Sequence, residues 1–90
     1  MATNILASGS AAATSADFTL TESKLVFLVP AGGGQVHLNS QVDIQAKSTG
    51  NQYVTVATLG PANLGAGVLP AGTYRAVRHA TGAVNAVEHS

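Results

Sequence analysis

The groups able to do proton or metal chemistry are few: Asp17, Glu22, Asp43, Glu88, His37, His79 and His89, with no cysteine anywhere in the chain. Acid–base catalysis needs two groups whose surroundings drive their pKa values apart. No such pair stands out. Asp43 falls on the polar side of an alternating run, Glu22 in a turn, and Glu88 and His89 at a carboxyl end that tends to fray, so each has an ordinary solvated place. His37 and His79 lie far apart, with no HExxH, His-x-His or carboxylate neighbour to suggest metal geometry. The serines and threonines include no G-x-S-x-G elbow. Gly32-Gly33-Gly34 lacks the spacing and the Lys-Ser/Thr of a phosphate loop. Neither catalysis, nor a bound metal, nor a cofactor is expected. Arg75 and Arg78, three apart on a strand, must point to opposite faces, so each is expected to pair with a carboxylate or to cap an interface. Tyr53 and Tyr74 could form an aromatic platform for a sugar or base, but the plainer reading is two core residues with wet hydroxyls.

The chain that must position these groups has 90 residues, 46% of them hydrophobic and only 9% charged. That length holds one small domain and a modest core. Four Lys+Arg balance four Asp+Glu, so there is no long-range field to gather phosphates and no nucleic-acid partner is expected. The longest apolar run, Leu25 to Val29, falls far short of the roughly 18 residues that a membrane span needs and is closed by Pro30. No membrane partner is expected either. A neutral surface with so few charges is suited to being covered by other protein.

Residues 1–15 read as a flexible amino-terminal arm, since Ala7-Ser8-Gly9-Ser10-Ala11-Ala12-Ala13 is small, uncharged and has little to bury. Its tip carries Ile5 and Leu6, which would gain by docking on a neighbour; a frayed end or a short first strand is the other reading. Residues 16–90 read as an all-β domain, because no window holds helical apolar spacing for three turns. Expected strands are 17–20, 25–29, 35–38, 42–47, 52–59, 73–78 and 83–87, with a loop over 60–70. Residues 42–47 alternate, placing Val42, Ile44 and Ala46 on one face. On the returning run Tyr53, Thr55, Ala57 and Leu59 form one set, Val54 and Val56 the other. Both sets are sizeable, so one face is expected to meet a second sheet and the other to be at least partly covered. The five apolar residues from Leu25 suit a strand covered on both faces. The sum is a small β-sandwich, immunoglobulin-like or jelly-roll-like.

The hairpin Val42-Asp43-Ile44-Gln45-Ala46-Lys47 to Tyr53-Val54-Thr55-Val56-Ala57-Thr58-Leu59, followed by Gly72-Thr73-Tyr74-Arg75, resembles small structural proteins of tailed bacteriophages over about half the sequence. Tyr53 stands where that pattern would place a tryptophan. The resemblance implies a non-enzymatic virion protein on the outer surface of the capsid, a decoration or cement subunit that bridges major capsid protein subunits and is itself a homotrimer. On that reading Ile5, Leu6, Tyr53, Arg75 and Arg78 are the candidate partner contacts. The competing expectation is a binding module of a tail, fibre or cell-surface protein, whose loops 31–34 and 61–67 would recognise glycan or receptor.

Overall fold

Short β-favouring runs broken by Gly, Pro and Asn become strands wherever both faces or one face can be buried. A computed structural model describes residues 2–36, 38–63 and 65–90. Among these residues it has nine strands: β1 (Thr3–Gly9), β2 (Ala13–Thr14), β3 (Phe18–Leu20), β4 (Lys24–Pro30), β5 (Val42–Lys47), β6 (Tyr53–Leu59), β7 (Ala66–Leu69), β8 (Gly72–Arg78) and β9 (Asn85–His89). They form two antiparallel sheets, one ordered β1-β9-β4-β7 and the other β2-β8-β5-β6, with β3 also on β8.

The pairing is nested. β5 meets β6, β4 meets β7, β2 and β3 meet β8, and β1 meets β9, as if one long hairpin had been rolled up. That is the strand order of a jelly roll, and it settles the expectation of a small sandwich on the second of its two forms. Only β5 and β6 are sequence neighbours that also pair. Val26, Leu28 and Val87 of the first sheet face Val42, Ile44 and Ala76 of the second, all buried.

The amino-terminal segment is not a free arm. Thr3–Gly9 is a strand on the edge of β9, and Ala13–Thr14 continues on β8. Between β2 and β3, buried Ser15 keeps the edge intact: its N–H donates to the Ala76 carbonyl at 2.8 Å, and its hydroxyl accepts from the Ala76 N–H at 2.8 Å. A side-chain oxygen thus takes the place of a ladder carbonyl, which joins two short strands into one edge.

Other boundaries also move. The loop expected over 60–70 contains β7, a strand missed because Ala66-Gly67-Val68-Leu69 is short and carries a glycine. Gly65 before it has φ +69° and a Cβ there would lie 2.5 Å from Val36 Cγ2, so any side chain at that turn would be strained and would push Val36 aside. The run expected as a strand over 35–38 is not one in its described residues, and His37 lies outside them. The last strand is Asn85–His89 rather than 83–87, and it lies between β1 and β4. Glu88 and His89 therefore belong to a central strand and not to a frayed end.

Candidate functional site

The outer face of the second sheet is polar and mutually bonded. Along β8 the alternation sends Thr73, Arg75 and Val77 outward while Tyr74, Ala76 and Arg78 turn in. Arg75 donates through Nε to Gln45 Oε1 at 2.7 Å, and its guanidinium lies 3.6 Å over the centre of the Tyr53 ring. The Tyr53 hydroxyl donates to both oxygens of Asp17, at 2.9 and 3.0 Å, and Lys47 Nζ lies 3.2 Å from Asp17 Oδ2. The hydrogen bond from Tyr53, and then that from Lys47, holds the Asp17 carboxyl below the usual aspartate range. Further along the same face, Asp43 accepts from the Thr58 hydroxyl at 2.9 Å and meets His79 Nε2 at 2.9 Å.

Tyr53 reaches this face through one extra residue. Ile44 pairs with Ala57 but Gln45 pairs with Thr55, so Val56 is bulged out of the ladder. The alternation expected along β6 therefore reverses there: Ala57 and Leu59 turn to the core, whereas Thr55 and Tyr53 turn outward. Tyr53 is thus a surface residue, and Tyr74 is the buried one, its hydroxyl donating to the Pro70 carbonyl at 2.8 Å.

The remaining candidates serve the domain's interior. Arg78 is 6% exposed and has no carboxylate partner; its guanidinium donates to the carbonyls of Ala11 at 2.9 Å, Ala7 at 2.7 Å and Asn85 at 2.9 Å. It is neither an ion pair nor an interface cap, but a bracket that holds the β1–β2 connection against β9. Gly9 is part of the same device, because a Cβ there would lie 2.9 Å from Arg78 Nη2. Ile5 and Leu6 are half-buried and pack against the chain's own core. Of the five candidates, the structure brings together Tyr53 and Arg75 and sends Ile5, Leu6 and Arg78 elsewhere.

The outer face of the first sheet has the opposite character. Cross-strand pairs there are Leu25 with Val68, Phe27 with Ala66 and Val29 with Ala86. Leu25 is 40% and Val68 69% exposed, so the strand whose composition suits cover on both faces is left open on one. Glu88 sits among these residues, between Asn4 and Phe27. A third apolar area lies along the free edges of β6 and β7, where Val54 and Val56 are 57% and 51% exposed. Beside them a cavity of about 300 Å³ opens between the sheets, lined by Ile44, Ala57, Leu59, Leu69 and Tyr74 among others.

Chemically, the arrangement offers contact surfaces. Asp43 and His79 form a hydrogen-bonded acid–imidazole pair that sequence spacing did not bring together, but no hydroxyl among the described residues bonds the other ring nitrogen. No three His, Asp or Glu side chains gather among the described residues. Among the described residues no helix is long and apolar enough to cross a membrane. No protein-family model, curated protein or solved structure matches the chain. The residues missed from sequence are Asp17, Lys47, Leu25, Val68 and Glu88. Only Leu25 had a signal, the unbroken apolar run around it.

Proposed function

We propose that this chain is a non-enzymatic phage structural protein that decorates and cements the capsid, lying on its outer surface and bridging major capsid protein subunits. One observation carries the reading: the two outer faces of the sandwich differ, the first sheet presenting apolar side chains to solvent and the second a polar network already bonded to itself. A module built this way lays one face on protein and shows the other to water. Trimerisation, which the sequence resemblance implies, would use the apolar β6 and β7 edges. Jelly rolls occur in capsid and lectin domains alike, so the fold accommodates the role without defining it. The interior bracket at Arg78 fixes Ile5 and Leu6 within the domain, so contact with the shell is assigned to the sheet face and not to an arm.

The mechanism is mass action: a protein that binds only the assembled shell lowers that state's free energy relative to its dissociated parts. The test uses shells purified from a phage in which this gene is deleted. Adding back the purified chain is expected to coat the head in many copies and to raise the temperature at which shells dissociate. Failure to bind overturns the proposal, and binding in few copies at one end of the particle replaces it with a tail or fibre module.

A further inference from the structure

The eight charged side chains can be accounted for one by one. Lys24 pairs with Glu22 at 3.3 Å, Lys47 with Asp17 at 3.2 Å, and Asp43 with His79 at 2.9 Å. Arg75 is held by Gln45 and Tyr53, and Arg78 is buried on three carbonyls. Asp43 is held by hydrogen bonds with the Thr58 hydroxyl and the His79 ring, so among the described residues Glu88 is the one side-chain carboxylate with neither a cation nor a hydrogen-bond partner. It is half-buried and flanked by Phe27 on β4, with Leu25, Ala66 and Val68 on the same face.

We infer that the outer face of the first sheet docks a different protein, whose contact patch is apolar and carries a lysine or arginine that meets Glu88. This deepens the reading of the chain as a docking module by giving the partner's chemistry. The charge ledger decides against a second copy. Two copies meeting through this face would bury two carboxylates with no cation between them, a costly arrangement. Nor can one copy's polar face supply the cation without giving up its own bonds at Arg75 or Lys47. A partner bringing its own cation removes this cost and gains the apolar area of Leu25, Phe27 and Val68.

The test is an amide-resolved NMR titration of the full chain with two blocked hexapeptides, one alternating valine with lysine and its twin alternating valine with glutamate. The lysine peptide is expected to shift residues 25–27, 66–68 and 88, and the glutamate twin to leave them unmoved. Glu88→Gln, nearly isosteric, should weaken the lysine peptide about five- to tenfold, the scale of a half-buried ion pair. Val68→Thr should weaken both its binding and its shifts, and Thr73→Ala on the opposite face should change neither. Equal response to the two peptides, shifts mapping elsewhere, or full binding by Glu88→Gln would overturn the inference. So would sedimentation showing that the wild type self-associates and Leu25→Thr, away from the β6 and β7 edges, does not. Charge-selective peptide binding without any binding to shells would sink the capsid reading and leave this inference standing.

Discussion

At the scale of single residues, Arg78 decides most. A buried guanidinium is costly to desolvate, and here no carboxylate offsets it; three carbonyls do. Those carbonyls belong to Ala7 and Ala11 near the amino end and to Asn85 at the start of β9, so one side chain ties the two segments together. Arg78→Met removes the buried charge but takes these bonds with it, for an expected net loss of about 2–4 kcal/mol in chemical denaturation. Gly9→Ala pushes a methyl against the guanidinium and should cost about 1–2 kcal/mol. The two effects share one cause, so Gly9→Ala in the Arg78→Met background should cost close to nothing, and an additive double mutant would refute the bracket. Glycine in a small-residue stretch thus serves tight packing here and not flexibility.

At the scale of elements, the amino-terminal strand gives the clearest result. β1 is held by pairing with β9, by Ile5 and Leu6 against the core and by Arg78 at its far end. A chain begun at residue 10 loses all three. We expect it to lose about 3 kcal/mol or more and to melt at least about 10 °C lower, measured by circular dichroism. A truncated chain with unchanged melting would mean that β1 is a dispensable arm after all. The β6 bulge shows the same dependence of chemistry on element geometry. Without Val56 standing out of register, Tyr53 would face inward and Asp17 would lose the hydroxyl that lowers its pKa.

At the scale of the whole molecule, nested pairing puts residues from opposite ends of the chain side by side, as Thr3 with His89, and leaves two unlike outer faces. On the apolar face Val68 and Leu25 are the side chains most open to water, at 69% and 40% exposed, so these two contribute little to the domain's own stability. Leu25→Thr combined with Val68→Thr is therefore expected to change folding stability by no more than about 1 kcal/mol. The same pair should clearly reduce binding of a hydrophobic dye and retention on a phenyl column. A large stability loss would show the face to be part of the core and not a docking surface.

Local information reached some of this and stopped at identifiable points. Alternation along residues 42–47 and the turn-rich punctuation were enough for an all-β sandwich and for the one hairpin, because side-chain period and turn chemistry act over a few residues. They were enough to set Arg75 and Arg78 on opposite faces. They could not place Asp17 under Tyr53 or join Asp43 to His79, each pair 36 positions apart, nor fold Ile5 and Leu6 onto their own core, which needs β1 to pair with the far end of the chain. An extra residue in one ladder reverses which side chains face out, and the length of a run gives no sign of it. Composition by itself determined a neutral chain with few charges; only the packing of two sheets decided which face stays open and left Glu88 there without a cation.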